Sequence, residues 1–312
     1  MSRFFPRFAG VVLGYNLLVV LWGAYVRASG SGAGCGNHWP LCNGLVVPQA
    51  PAVHTLIEFT HRAMSGLDVV LVGFLAIWAF RAFPRRHPVR LGATLSAIFL
   101  ASEALIGAAL VKLEHVARNA SVGRAYSLSG HLINTLTLLA CLTLTVWWAR
   151  EGGHLSWRGR AAWLAVPGIL LFVLLAMSGV IAALGDTLFP ARSLAEGFRQ
   201  DLDPAASIFL RLRLLHPMLA VVTAACLAFY AVLYRGWTLL GLVAMQVTAG
   251  ALNLVLLAPI WMQIVHLLLA DLAWIALILL CASTLQVSAI PADLPIDAVS
   301  PRVHRLERVG PK

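Results

Sequence analysis

Charged residues are scarce in this chain of 312 residues. Asp, Glu, Lys and Arg together make up 12% of the sequence, whereas soluble domains average about 25%. So few charges cannot cover a water-facing surface, which excludes an ordinary soluble domain. Apolar residues make up 60% of the sequence, and the mean hydropathy is +0.84. The composition therefore predicts a protein whose main solvent is lipid.

Long polar stretches are also lacking, because eight apolar runs occupy most of the chain. A helix needs roughly 20 apolar residues to cross a bilayer. In lipid such runs are helices, since the backbone must satisfy its own hydrogen bonds. The first run lacks a small-residue cleavage site, so we expect it to remain as a span. The predicted spans are 8–26, 56–80, 91–111, 125–148, 161–184, 208–234, 238–258 and 262–285.

Most of the basic residues fall in loops on one side of the predicted bundle. Loops rich in Lys and Arg lie in the cytoplasm, so we expect both termini there. The net charge of +10 then reflects topology and anionic lipid head groups, and it does not call for a nucleic-acid partner. The basic residues of this side are Arg3, Arg7, Arg81, Arg85, Arg86, Arg90, Arg150, Arg158, Arg160, Arg235, Arg302, Arg305, Arg308 and Lys312.

The two halves of the chain resemble each other. Residues 104–111 in the third span read ALIGAALV, and residues 247–254 in the seventh read VTAGALNL. Internal repeats of this kind are known in membrane proteins. We therefore predict an all-α fold of eight spans, arranged as two four-helix bundles related by a pseudo-twofold axis. The predicted divisions are an N-terminal half over 1–150, a C-terminal half over 151–285 and a polar cytoplasmic tail over 286–312.

Four histidines lie inside the even-numbered spans, at matching places in the two halves. A single one could be a packing residue, but polar groups inside the membrane are costly and usually functional. At a rise of about 1.5 Å per residue, each lies roughly 8–14 Å below the outer surface. Two imidazoles on facing helices at one depth can ligate a six-coordinate haem iron. The four are His61, His131, His216 and His266.

Zinc is the alternative metal, and it would favour cysteine or carboxylate ligands near the histidines. The intramembrane cysteines, however, lie nearer the cytoplasmic ends of their spans and are most simply small buried residues. They are Cys141, Cys226 and Cys281. Asp68 and Asp271 also lie deeper than the histidines, and we expect both to make polar contacts between helices. The sequence therefore predicts two haem sites, one in each half.

A carboxyl group distinguishes the two predicted sites. Glu58 precedes His61 by three residues and so shares its helix face, whereas Arg213 holds the equivalent place before His216. Glu58 has two interpretations. It either forms a salt bridge with Arg62 or Arg27, or handles protons or positive charge during chemistry on the first haem.

The loop after the first span is rich in glycine and contains Cys35 and Cys42. Two cysteines on the oxidising side of a membrane favour a disulfide. The bridge could be a structural staple, or it could be reducible and take part in redox chemistry. The sequence leaves both interpretations open.

Several motifs resemble the haem A synthase family over roughly residues 10–285. They are Gly23-Ala24-Tyr25-Val26-Arg27, the loop through Cys35 to His38-Trp39-Pro40-Leu41-Cys42, Glu58-Phe59-Thr60-His61-Arg62, and Gly185-Asp186-Thr187-Leu188-Phe189-Pro190. The resemblance implies an eight-helix protein of the plasma membrane that oxidises the C8 methyl group of haem O to a formyl group. The product, haem A, serves terminal oxidases.

The resemblance also implies a role for each site residue. His61 and His131 would flank the substrate haem O, His216 and His266 would ligate haem B, and Glu58 matches the catalytic carboxylate. Arg27 and Arg62 are candidate propionate or salt-bridge partners. Haem O synthase and an electron donor are the expected protein partners, with lipid as the surroundings.

Two departures from the family pattern stand out. No second cysteine pair follows the fifth span, and Pro217 replaces the arginine that often follows the second-half histidine. Proline should also disturb the helix there. Two other functions remain open: a di-haem b-type cytochrome that only transfers electrons, and a haem carrier or assembly factor.

Overall fold

The computed structural model describes residues 2–287, and they form an all-α membrane protein. Eight of the described helical spans are long and apolar enough to cross a membrane, which confirms the predicted number. The elements follow in chain order: a 3₁₀ turn (Ser2–Phe4), α1 (Phe5–Ala28), α2 (Val53–Ala82), α3 (Pro88–Lys112), α4 (Val122–Glu151), β1 (His154–Leu155), α5 (Gly159–Leu188), α6 (Leu194–Leu202), α7 (Ile208–Arg213), α8 (Leu215–Leu233), α9 (Trp237–Val255), α10 (Ile260–Leu285) and β2 (Gln286–Val287).

The loop between α1 and α2 marks one end of the bundle, which we call the disulfide end. The spans alternate in direction, so α2, α4, α7 and α10 all begin at this end. At the opposite end β1 and β2 pair antiparallel, with His154 opposite Val287. The chain is therefore a multi-pass membrane protein, while the cytoplasmic location of its termini remains a prediction. Most of the predicted tail, residues 288–312, lies outside the described residues.

Each half packs as a ring of four spans. In the N-terminal half the packed neighbours are α1 with α2, α2 with α3, α3 with α4, and α4 with α1. In the C-terminal half they are α5 with α8, α8 with α9, α9 with α10, and α10 with α5. Span α4 also packs against α5 and α10 and so joins the two rings. The pseudo-twofold relation between them stays a prediction.

Apolar side chains fill the interior in two main clusters. One cluster includes Phe172 and Leu277 of the C-terminal half together with Leu139 of α4. The other includes Phe5 and Leu75 of the N-terminal half. Since lipid itself is apolar, the remaining apolar residues of the spans can stay exposed at the perimeter.

The sixth span is broken at Leu214, between α7 and α8. Pro217 lacks the N–H group that would bond to the carbonyl of Arg213, and its ring clashes with that carbonyl in a regular helix. The expected disturbance is thus confirmed. Arg213, at the break, forms salt bridges of 2.7 Å with both Asp186 and Asp201.

The two deep aspartates differ from each other. Asp68 of α2 accepts a hydrogen bond of 2.6 Å from the side-chain amide of Asn16 on α1, which confirms a polar contact between helices. Asp271 of α10 is 2% exposed, and its Oδ2 has no hydrogen-bond partner among the described residues. The predicted contact is therefore wrong for Asp271, because no neighbouring helix offers a donor within reach of that oxygen.

Candidate functional site

The histidine pair of the C-terminal half lies in an arrangement that suits one metal ion. The ring centroids of His216 and His266 are 6.3 Å apart, and the ring planes are nearly perpendicular at 87°. A metal–imidazole bond is about 2 Å and a ring nitrogen lies about 1 Å from its centroid, so two rings on opposite sides of one ion have centroids about 6 Å apart. The measured spacing fits an iron held between the two imidazoles.

The contacts of Ser178 on α5 indicate which ring nitrogen of His216 carries the hydrogen. Its hydroxyl group lies 2.7 Å from the carbonyl oxygen of Leu175 and 3.0 Å from Nδ1 of His216. A serine has one hydroxyl hydrogen, and donating it to the carbonyl leaves the oxygen as an acceptor. Nδ1 of His216 must then carry the hydrogen. Nε2 of His216 is left with the free lone pair that a metal ligand needs.

His266 contacts a neutral amide. Its Nε2 lies 3.3 Å from the side-chain nitrogen of Gln246 on α9. Its Nδ1 is buried and has no hydrogen-bond partner among the described residues. An unpaired buried nitrogen is unusual in a satisfied core, and it is consistent with a side chain whose partner is a bound group.

Three of the four histidine rings rest against a glycine of the preceding span. A Cβ atom added at Gly23 would lie 2.9 Å from Cε1 of His61, and one added at Gly179 or Gly250 would lie 3.0 Å from the facing Cε1. Such contacts are too close for a larger residue without movement of the ring. The pairs are Gly23 with His61, Gly179 with His216 and Gly250 with His266.

His61 and His131 lie across the ring of the N-terminal half. They are eight and nine residues from the starts of α2 and α4, so both are about 12–14 Å from the disulfide end at about 1.5 Å per residue. These two spans are not packed neighbours among the described helices, because α1 and α3 separate them. Nδ1 of each ring is buried and makes no hydrogen bond within the described residues, although that of His131 lies close to a carboxylate of α3. The diagonal arrangement matches that of α8 and α10.

Glu103 of α3 was missed from the sequence. Its Oε1 lies 3.2 Å from Nδ1 of His131, and the carboxylate also accepts hydrogen bonds from Asn134 and Thr135. The signal was present, because an acidic residue inside a span is a functional candidate. Glu103 also directly precedes the repeated segment 104–111, where the other half has Gln246 before 247–254.

Glu58 is buried and held from two sides. Its Oε2 accepts a hydrogen bond of 2.8 Å from the backbone N–H of Cys35, and its Oε1 accepts two from Arg62, of 2.5 and 3.2 Å. Arg62 also donates to the carbonyl oxygens of His38 and Leu41. The salt bridge between Glu58 and Arg62 is thus present in the structure. A catalytic role for Glu58 remains a prediction.

Cys35 and Cys42 form the expected disulfide, and both are almost completely buried. The bridge closes a loop whose backbone donates to Glu58 and accepts from Arg62. The loop therefore contributes directly to the surroundings of the carboxylate that shares a helix face with His61.

Arg27 lies away from Glu58 and joins the two halves. Its guanidinium group donates to the carbonyl oxygen of Ala183 (3.2 Å), the hydroxyl of Thr187 (3.1 Å) and the side-chain oxygen of Gln263 (2.9 Å). Arg27 and Arg62 are thus both engaged within the protein. A haem propionate would have to replace some of these hydrogen bonds to bind either residue.

The described part of the chain contains no group of three or more His, Cys, Asp or Glu side chains arranged to hold a metal ion. Three cysteines of this part form no disulfide; Cys141 and Cys281 are buried, and Cys226 is partly buried. The paired imidazoles are accordingly the candidate metal-binding groups.

The family comparison agrees with these motifs and this fold. A family described as COX15-CtaA, cytochrome oxidase assembly protein, matches residues 6–278. This chain belongs to that family. The resemblance to haem A synthases is confirmed by named relatives. Over 111 residues the chain is 42% identical to a haem A synthase of Exiguobacterium sp., covering 36% of this chain and 37% of the relative.

Longer matches carry a different name. Protohaem IX farnesyltransferases from two strains of Thermus thermophilus are 47% identical to the chain over 300 residues. These alignments cover 92% of this chain and 49% of each relative. The chain therefore spans about half the length of the Thermus relatives that it matches.

Proposed function

We propose that this chain is a haem A synthase, which oxidises the C8 methyl group of haem O to a formyl group. The observation that supports this most is the asymmetry between two similar histidine pairs. Both pairs lie on diagonal helices near the disulfide end, but among the described residues a carboxylate lies within 4 Å of a histidine ring only in the N-terminal pair, where Glu103 is 3.2 Å from His131, and Glu58 lies one helical turn from His61 on α2. One site then binds a cofactor, and the other performs chemistry.

In this proposal His216 and His266 hold haem B, and His61 and His131 flank haem O. A bound haem B would supply one-electron transfer. The residues around it orient the ligands: Ser178 fixes the tautomer of His216, and Gly179 and Gly250 leave space for the imidazole rings.

Glu58 is the proposed catalytic carboxylate. Converting a methyl group to a formyl group is a four-electron oxidation: with water as the oxygen source it releases four protons and four electrons, the electron-transfer partner must take up the electrons, and electron deficiency develops on the methyl carbon. A carboxylate near that carbon can accept a released proton or stabilise positive charge. Because the hydrogen bonds from Cys35 and Arg62 hold Glu58 in place, little reorganisation is needed when charge develops.

The partners of the proposed reaction follow from the substrate. A farnesyl-transferring enzyme must supply haem O, and relatives of twice this length carry the name of such an enzyme. We therefore propose haem O synthase as a functional partner, together with an electron-transfer partner. The proposed location is the plasma membrane, with the termini in the cytoplasm and the disulfide end outside.

A di-haem b-type cytochrome is the main alternative. Such a protein usually places its haems on opposite sides of the bilayer, whereas all four histidines here lie near one end. A haem carrier or assembly factor is the second alternative, and the family description alone is compatible with it. Neither role needs a buried carboxylate beside one histidine pair.

One experiment separates the three functions. The full chain is purified after expression in cells that make haem O, and the extracted haems are identified by chromatography and mass. The proposal expects haem B together with haem O and haem A, and haem A should be absent from cells that lack the chain. Haem B alone, with no haem A formed, would favour the cytochrome. Haem O bound without conversion would favour the carrier.

A further inference from the structure

Glu103 faces one side of α4 at the depth of His131. Its carboxylate lies 3.2 Å from Nδ1 of His131 and accepts hydrogen bonds from the side chains of Asn134 and Thr135, each 2.5 Å long. These three residues of α4 are spaced i, i+3 and i+4, so they share one helix face. A single carboxylate on α3 thus contacts a complete polar face of α4.

The surrounding hydrogen bonds fix the carboxylate in one orientation. Asn134 is itself held by the carbonyl oxygen of Phe99 at 2.8 Å and by the hydroxyl of Ser102 at 2.6 Å. The side-chain amide of Asn134 donates to one carboxylate oxygen of Glu103, and the hydroxyl of Thr135 contacts the other oxygen while lying 2.9 Å from the carbonyl oxygen of His131. Glu103 is therefore a carboxylate held in one place beside an imidazole.

A negative charge beside Nδ1 determines how that imidazole can ligate. At 3.2 Å the contact between Oε1 of Glu103 and Nδ1 of His131 is electrostatic and is not aligned as a hydrogen bond, but it still favours the hydrogen of the neutral ring on Nδ1, so Nε2 keeps the free lone pair. A carboxylate behind a ligating histidine also raises the basicity of the ligand, and it fixes the orientation of the ring. The imidazole of His131 should then be a stronger electron donor than one backed by a neutral group.

In the C-terminal half both histidine rings contact neutral groups. Nδ1 of His216 contacts the hydroxyl of Ser178, and Nε2 of His266 contacts the amide of Gln246. When 104–111 is matched to 247–254, Gln246 occupies the place of Glu103. The two halves therefore differ by one charge at the equivalent helix position.

We propose that Glu103 is a positioning residue, which fixes the iron-binding tautomer of His131 and makes iron in the N-terminal half more electron-rich than iron in the C-terminal half. This rests on the proposed function, because His131 must ligate a haem there. An electron-rich iron favours the ferric state. The haem of the N-terminal half should then have the lower midpoint potential.

The test compares Glu103→Gln, which removes the charge and keeps the size, with Glu114→Gln at an exposed loop position. Both proteins are purified from cells that make haem O, and haem content and midpoint potentials are measured by reductive titration. Glu103→Gln should bind haem O about 10–100-fold more weakly. The haem O that remains should show a positive shift in midpoint potential. Haem B should be unaffected, and Glu114→Gln should match the wild type.

Each other outcome is decisive. An unchanged haem O affinity and midpoint potential in Glu103→Gln would overturn the role of Glu103 and leave the proposed function intact. If wild-type protein bound no haem in its N-terminal half, the proposed function would fall, and this inference with it. If Glu103→Gln also lost haem B, Glu103→Asp would decide. If Glu103→Asp recovers haem B and the haem O of that variant has the wild-type midpoint potential, the result supports positioning. If it recovers haem B but haem O keeps a shifted potential or stays unbound, Glu103 has a folding role.

Discussion

A change at Glu58 is the clearest single-residue test between the proposed enzyme and the alternative electron-transfer protein. The carboxylate of Glu58 is 3% exposed and bonded to Cys35 and Arg62. We predict that Glu58→Gln retains haem B but forms haem A about 100–1,000-fold more slowly, because removing one preorganised electrostatic group has a cost of that order. Chromatography of extracted haems should show haem O, or an intermediate alcohol, in place of haem A.

The matched control for this change is Glu151→Gln, at an exposed position at the opposite end of α4. It should form haem A as the wild type does. Normal haem A formation by Glu58→Gln would remove Glu58 from the mechanism and leave it as the partner of Arg62.

Gly23 allows a second test with a matched control on the same helix. A Cβ atom there would lie 2.9 Å from Cε1 of His61, whereas one at Gly14 would meet nothing within 4 Å. We predict that Gly23→Ala displaces the ring of His61 and reduces bound haem O severalfold, while Gly14→Ala has no such effect. Haem content per chain measures both. Equal haem O in the two variants would show that the ring tolerates the extra methyl group.

At this scale the sequence indicated which residue types matter but not how they are paired. Helix spacing in the sequence placed Glu58 near His61. It did not show that Glu58 forms its salt bridge with Arg62 and not with Arg27. That choice depends on the disulfide loop, whose carbonyl groups hold Arg62. Arg27 instead reaches Gln263, and such a long-range contact leaves no local pattern in the sequence.

The disulfide loop is the element that connects redox state to the site. We predict that thiol labelling of unreduced, denatured protein modifies Cys141, Cys226 and Cys281 but neither Cys35 nor Cys42. Mass analysis of the peptides would show this, and reduction should add two labels. Labelling of either loop cysteine before reduction would contradict the bridge.

Loss of the bridge should have a limited effect. In the double variant Cys35→Ser/Cys42→Ser we expect haem B to remain, because its ligands lie on α8 and α10, far along the chain from the loop. Haem A formation should fall, since the loop backbone holds Glu58. A variant that lost haem B as well would show that the loop supports the whole fold.

Among the elements, the spans were predictable and the short helices were not. Apolar runs gave all eight spans to within about five residues, and Pro217 indicated the break that separates α7 from α8. The amphipathic helix α6 was missed, although Ser193 and Glu196 form a capping pattern at its start. A nine-residue polar helix has too few apolar residues to stand out in a chain read for membrane spans.

The molecule as a whole contains two histidine pairs that we predict to be separable. His216→Ala should remove the optical signal of a low-spin haem B, because the second imidazole is lost. His61→Ala should reduce bound haem O and leave haem B in place. Optical spectra and haem extraction measure both effects. A haem B spectrum that persisted in His216→Ala would show that the ligand assignment is wrong.

Contacts across the boundary between the halves were beyond the reach of the sequence. The indole N–H of Trp274 on α10 donates to the carbonyl oxygen of Leu136 on α4, and Arg27 of α1 reaches both α5 and α10. A repeat predicts what each half contains, but it does not predict how the two copies pack. The packing of the two halves depends on surfaces that differ between the halves.

The hydrogen bonds of Arg27 impose an order on biosynthesis. Ribosomes make α1 first and α10 last, yet the guanidinium group on α1 finds its partners on α5 and α10. Until α5 is inserted, none of these partners is present, and the last of them arrives only with α10, so the guanidinium group must first stay hydrated at the lipid surface. The earliest helix to enter the bilayer is thus among the last to reach its final contacts.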